Sequence, residues 1–170
     1  MKSDRILQFA LVLMMCVFCF ALYSSLHETV INAGDTAPNF TVTTDNGKNI
    51  TARDFGGKLL LLNFWATWCP PCIEEIPGLN ALSQQLGPNG LVVLGVSVDK
   101  DENAYKQFLA RNPLAYLTAR NASQEINLSY GTIQYPESYL IDRNGKVLEK
   151  YISVQPWASP QMIQHVKSLL

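Results

Sequence analysis

The chain has 170 residues, 13 basic and 14 acidic, for a formal net charge of −1; 48% of it is apolar and 16% charged. The near-neutral balance excludes an electrostatic nucleic-acid binder, which needs a basic stripe, and this much aliphatic and aromatic content excludes disorder. Only one apolar run approaches the roughly 20 residues that span a bilayer, so a polytopic membrane protein is excluded as well.

That run opens the chain. Ile6 to Leu22 is free of charge and interrupted only by Gln8, with Lys2 and Arg5 ahead of it and Asp4 offsetting part of their charge. The positive-inside tendency keeps such an N-terminus in the cytoplasm and exports the remainder of the chain. A cleaved signal peptide needs small residues one and three places before the cut; Tyr23-Ser24-Ser25 and Ile31-Asn32-Ala33 serve poorly. Residues 1–26 are therefore read as an uncleaved single-pass anchor in preference to a signal segment. Residues 27–33 are a spacer, and 34–170 form one domain on the extracytoplasmic side. Cys16 and Cys19 lie inside the apolar run, where no base or charge favours a thiolate, and are read as small buried hydrophobes.

In the exported part, Thr41-Val42-Thr43 and Asn49-Ile50-Thr51 flank Asp45-Asn46-Gly47, a tight-turn signal that predicts a hairpin. Leu59 to Phe64 is continuously apolar apart from Asn63, as expected of a strand buried on both faces, and Leu91 to Val98 is a second such run. Between them Ile73, Ile76, Leu79, Leu82 and Leu86 recur at helical spacing, so the unit reads as strand, helix, parallel strand. A further helix is predicted from near Asp99 or Asp101 to about Ala110, with Tyr105, Phe108 and Leu109 inward and Asp99/Glu102 as a capping-box-like pair. A short helix is expected next, near Ser123 to Leu128. Ser138–Ile141 and Lys146–Ile152 flank Arg143-Asn144-Gly145, a second hairpin signal. The last helix is capped by Ser159, with Pro160 in its first turn and Met162, Ile163, Val166, Leu169 and Leu170 on its apolar side. The fold class is α/β: a central mixed sheet with helices on both faces, an N-terminal hairpin and an N-terminal membrane helix.

The chemistry is concentrated in Trp65-Ala66-Thr67-Trp68-Cys69-Pro70-Pro71-Cys72, where the first buried strand ends and the helix begins. A helix N-terminus carries partial positive charge and unpaired N–H groups, which stabilise a thiolate. A spacing of three on a helix brings the two sulfurs within disulfide reach, so Cys69 is expected to attack and Cys72 to resolve the mixed disulfide. A zinc site would need two more Cys or His ligands; His27 beside the anchor and His165 on the last helix are not placed to supply them, and no metal is expected. A purely structural bridge would close too short a loop to stabilise much.

Several separate stretches carry a resemblance. Gly34-Asp35-Thr36-Ala37-Pro38-Asn39-Phe40 is similar to the opening shared with peroxiredoxin-like proteins, and Asn63 to Cys72 resembles a thioredoxin-type active-site stretch. Glu75-Ile76-Pro77 resembles the next helix of that pattern, and Tyr135-Pro136-Glu137-Ser138-Tyr139-Leu140-Ile141-Asp142 a cis-proline strand. Together they resemble the membrane-anchored thioredoxin-like proteins of the TlpA/ResA type, within the AhpC/TSA-like superfamily. The resemblance implies a thioredoxin-like fold and a thiol–disulfide oxidoreductase that needs no cofactor. It also implies a disulfide-containing protein substrate, with cytochrome c apoproteins as the suggested class, and an upstream membrane thiol reductant. Pro136 would be the cis proline, with Trp68, Pro70, Pro71, Tyr135 and Pro136 bordering the substrate, whose backbone could add to the loop as a strand. Gln134 and Tyr135 depart from the commoner residues at their places, so substrate choice does not transfer.

Thioredoxin carries a buried aspartate six residues before its first cysteine; here that position is Asn63, which cannot take a proton. The resemblance assigns a glutamate at the place of Glu75 to the active site, so Glu75 is the candidate proton acceptor for Cys72. Neither Pro70 nor Pro71 has an N–H, which leaves the Cys72 amide to hold the Cys69 sulfur. The pair is therefore expected to be a reductant or isomerase-like couple, not a strong oxidant. A thiol peroxidase of this superfamily would need Pro and Thr where Leu62 and Ala66 stand, and an anchored metal-carrying module would need a third soft or imidazole ligand.

Overall fold

The computed structural model describes residues 2–26 and 30–170. Helix α1 is Lys2–Leu26, and positions 10–22 on it are all exposed. Among the described residues no helix is long and apolar enough to cross a membrane; a 25-residue helix stands where the anchor is expected. Cys16 and Cys19 are free and exposed on it. His27 lies outside the described residues.

Strands β1 (Thr41–Thr43) and β2 (Asn49–Thr51) pair antiparallel around Asp45-Asn46-Gly47, with Val42 opposite Ile50. Gly47 holds a φ of 82° at the turn, a conformation that costs a residue with a Cβ. The main sheet has five strands in the order β5-β4-β3-β6-β7. Here β3 is Leu59–Trp65, β4 Leu91–Ser97, β5 Leu117–Arg120, β6 Glu137–Asp142 and β7 Val147–Ile152. The strands β3, β4 and β5 run parallel, and β6 and β7 run antiparallel to their neighbours. The strand β5 carries no sequence signal of its own: four residues at a sheet edge are too few to show a period.

All seven residues of β3 are buried. Alternation then splits them between two layers. Leu59 and Leu61 pack with Leu79, Leu82, Leu86, Trp157 and Val166 from α2 (Pro70–Leu86) and α5 (Pro160–Ser168) and the segment before α5. Leu60, Leu62 and Phe64 pack on the opposite side with Val42, Ile50, Ile126, Tyr130 and Tyr139, so the hairpin and α4 (Glu125–Ser129) cover that side. A third cluster surrounds the cysteines at the carboxyl end of β3, where Trp65 and Tyr105 of α3 (Glu102–Arg111) meet. The chain ahead of the hairpin is tied down too. Ile31, assigned to the spacer on sequence grounds, is buried, and its N–H donates to Tyr130 O at 3.1 Å.

Two details of the helices differ from expectation. Asp101, not Asp99, caps α3, accepting from the Asn103 and Ala104 amides at 2.8 and 3.1 Å. Ile73 is exposed, one position along α2 from the buried Cys72. Ser159 caps α5 as expected, accepting from Met162 N–H at 3.2 Å. Leu61, wholly buried between β4, β6 and α2, gives the test of this layering: Leu61→Ala should cost about 2–5 kcal/mol by transfer and cavity terms, read from the urea midpoint at constant slope.

Candidate active site

The strand β3 delivers the chain to the mouth of α2, and the turn between them is pinned by one buried carboxylate. Asp99 accepts from Thr67 N–H at 2.9 Å, Thr67 Oγ1–H at 2.7 Å and Ser97 Oγ–H at 2.6 Å. Three donors stand in for the water that burial removed, and together they fix the backbone two residues before Cys69. The sequence shows two aspartates two places apart, and only the fold reveals which one caps a helix and which one holds this turn.

Cys69 occupies the N-cap of α2 in extended conformation, and its Sγ accepts from Cys72 N–H at 3.3 Å. Pro70 and Pro71 fill the first two helical positions, so the Cys72 amide is the main-chain donor on this sulfur, as expected. The two cysteines form a disulfide with Cα atoms 5.3 Å apart, and both are buried in the cluster with Trp65, Ala66 and Ile76. Pro77 sits within α2 without ending it.

The loop ahead of β6 closes the site. Tyr135-Pro136 is a cis peptide bond, and Tyr135 packs against the cysteine cluster. The Trp68 ring is 62% exposed and meets Tyr135 edge-on, with centroids 6.0 Å apart. The Tyr135 hydroxyl accepts from Asn127 Nδ2 at 3.1 Å. Pro70 and Pro71 are exposed beside Trp68, and Pro136 is buried. Trp68, Pro70, Pro71 and Tyr135 therefore present one apolar, aromatic rim around the disulfide.

Behind the disulfide lies Glu75, 3% exposed and three residues beyond Cys72 on α2, on the same helical side. Asn63 Nδ2 donates to its Oε1 at 2.7 Å and also to Ser138 Oγ at 3.0 Å. Trp157 Nε1 donates to its Oε2 at 2.9 Å. Burial pushes the Glu75 pKa above its ordinary value of 4.5, and the donors from Trp157, Asn63 and the Gln155 main chain offset this only in part. The result is a carboxylate with raised proton affinity three residues from Cys72 on the same helix, a property that a general base for a thiol requires. Asn63, which cannot itself take a proton, serves as the clamp that ties Glu75 to the cis-proline strand. Sequence reasoning missed Trp157 and Ser138, since a lone tryptophan and a lone serine carry no local signature. Among the described residues no group of three or more His, Cys, Asp or Glu side chains could hold a metal ion.

This constellation, a redox-active disulfide at a strand-to-helix junction facing a cis proline on a five-stranded sheet, defines a thiol–disulfide oxidoreductase of thioredoxin-like fold. Comparison with known proteins agrees. Residues 33–150 match the AhpC/TSA family. A thiol-disulfide oxidoreductase ResA of Bacillus thuringiensis subsp. konkukian is 35% identical, with 99% of each chain covered. That of Bacillus anthracis is also 35% identical, over 91% of this chain and 92% of its own. In three dimensions the chain is similar to a Chlorobium tepidum protein described as a thiol:disulfide interchange protein, DsbE, with a TM-score of 0.74 and 30% identity, covering 83% of this chain and 99% of that one. The chain belongs to the ResA-type thiol–disulfide oxidoreductases of the AhpC/TSA family.

The geometry carries two expected outcomes. Pro71→Ala restores an N–H beside Cys69. A charge-assisted bond from that amide to the thiolate, worth about 1.5–3 kcal/mol, favours the reduced form and should raise the two-electron potential by roughly 30–60 mV, measured against a glutathione buffer. Glu75 binds its proton more tightly folded than unfolded, so above about pH 4.5 the folded state holds more protons. Stability therefore falls as pH rises from the unfolded value towards the folded one, and Glu75→Gln should flatten that slope in urea titrations across pH.

Proposed function

We propose that the protein is an exported, membrane-tethered reductant of protein disulfides, with Cys69 as nucleophile, Cys72 as resolving thiol and Glu75 as proton acceptor. The observation that carries the assignment of roles is the buried, doubly hydrogen-bonded Glu75 one helical turn behind a disulfide whose nucleophile sits at a helix N-cap.

In the reduced protein the Cys69 thiolate attacks one sulfur of a substrate disulfide. The substrate S–S bond breaks, one substrate sulfur leaves as thiolate, and a mixed disulfide to Cys69 forms. Cys72 then gives its proton to Glu75, and the Cys72 thiolate attacks Cys69 Sγ. The second substrate sulfur leaves, the Cys69–Cys72 bond closes, and two electrons have passed to the substrate. Trp68, Pro70, Pro71, Tyr135 and Pro136 border the incoming polypeptide. Resetting the disulfide takes two electrons from an upstream membrane thiol reductant.

Tethering rests on the sequence of residues 1–26: the uncharged run from Ile6 to Leu22 behind Lys2 and Arg5 fits a single-pass anchor with the catalytic domain on the extracytoplasmic side. Apocytochromes c are the substrate class that the ResA-type relationship suggests.

The full chain carrying Cys72→Ala should accumulate mixed disulfides with polypeptides in a bacterial envelope. These adducts should be released by dithiothreitol and be absent with Cys69→Ala. The wild-type chain should reduce insulin and should not consume peroxide at a comparable rate. Failure to form any adduct, or faster turnover of peroxide than of insulin, contradicts the proposal.

A further inference from the structure

Trp157 lies 82 residues from Glu75 in sequence, yet its indole N–H meets the carboxylate at 2.9 Å. It is wholly buried and locked from three sides. Its ring packs edge-on against Tyr151 with centroids 5.1 Å apart. Its main-chain N–H donates to Gln155 O at 2.9 Å. Gly78 of α2 lies beneath it, where an added Cβ would stand 3.2 Å from Trp157 Cβ. A side chain held in this way cannot turn its donor elsewhere.

The Glu75 oxygens divide their partners, with Asn63 on Oε1 and Trp157 on Oε2. An indole N–H is a donor only. It therefore favours the ionised carboxylate and opposes a proton on the oxygen it contacts. The Asn63 amide comes from the central strand behind the disulfide, whereas Trp157 comes from the segment between β7 and α5. That segment and α2 also frame a cleft of about 500 Å³ lined by Glu74, Glu75, Gly78, Gln155 and Trp157. A proton taken up by Glu75 thus has an exit to solvent on this side, away from the Trp68–Tyr135 rim.

We propose that Trp157 is a positioning residue that sets the pH at which Glu75 can act, and that the cleft beside it is where Glu75 returns its proton to water; the proposal rests on the reading of Glu75 as proton acceptor. The groups facing Glu75 are few: Cys72 and Glu74 on its own helix, Asn63 from β3, Ser138 from β6 through Asn63, Trp157 and the Gln155 main chain, and Tyr116, whose ionisation the Glu75 charge opposes. Among the described residues no lysine or arginine forms an ion pair with Glu75. With no cation present, a single neutral donor has leverage over the titration.

The experiment tracks the second-order rate of disulfide reduction by the full chain in detergent from pH 4 to 9, for wild type, Glu75→Gln, Trp157→Phe and the double variant. Glu75→Gln should remove the acidic limb of the profile. Trp157→Phe should keep the limb but move it up by about one pH unit, a tenfold loss at a pH below the midpoint. The double variant should match Glu75→Gln. If Glu75→Gln removes the limb and Trp157→Phe leaves it in place, or if Trp157→Phe acts equally in the Glu75→Gln background, the role of Trp157 is overturned while the Glu75 reading stands. If Glu75→Gln leaves the limb untouched, both fall. A merely structural tryptophan lowers the melting temperature without moving the limb. The wild-type protein gives an independent check that needs no Trp157 variant: the Trp157 Nε1–H resonance should titrate with the midpoint of the kinetic limb, and a resonance flat across that range overturns the proposal.

Discussion

The strand Leu59–Trp65 has no exposed face, and the rest of the molecule is arranged around that constraint. A strand with seven buried side chains must be paired on both edges, so β4 lies parallel on one side and β6 antiparallel on the other. It must also be covered above and below, which calls on α2 and α5 for one layer and the hairpin with α4 for the other. The carboxyl end of this rigid element is where the backbone leaves the core and turns into α2. The disulfide sits at that exit, with Cys69 placed directly after the most deeply buried strand of the fold.

The same burial creates the chemistry behind the disulfide. A carboxylate removed from water loses several kcal/mol of solvation, while each hydrogen bond to a charged group returns about 1.5–3 kcal/mol. Glu75 has donors from Asn63 and Trp157 but no ion pair among the described residues, so the loss wins and its proton affinity rises. Asn63 occupies the place that thioredoxin gives to a buried aspartate. Here the carboxylate stands on the helix, and the strand residue is its hydrogen-bond support. Because Asn63 also bonds Ser138, two residues beyond the cis proline, Glu75 and the cis-proline loop share one scaffold.

A second buried carboxylate, Asp99, serves geometry. It spends its acceptors on Thr67 and Ser97 and so joins the end of β4 to the turn before Cys69. Asp45 does the same for the hairpin, accepting from Tyr105 and Thr118 hydroxyls at 2.6 and 2.8 Å. Both aspartates are satisfied by neutral donors, which suits positions where a hydrogen bond fixes an angle that an ion pair would leave loose.

Much of this was legible along the chain because it is encoded locally. The Cys69-Pro70-Pro71-Cys72 stretch, the two apolar strands, the Asp45-Asn46-Gly47 and Arg143-Asn144-Gly145 turns and the Ser159 cap each depend on neighbours within a few residues, and composition and periodicity report them directly. The sequence by itself determined the redox pair, its place between a strand and a helix, and the absence of main-chain donors at Pro70 and Pro71. It did not show the edge strand Leu117–Arg120, which exists because β4 offers it a partner, nor which of Asp99 and Asp101 caps α3. It also did not show that Trp157 reaches Glu75 across 82 residues. Those features were decided by the tertiary structure alone, because they depend on contacts between segments far apart in the chain, and local patterning carries no record of which distant donor a buried acceptor will meet.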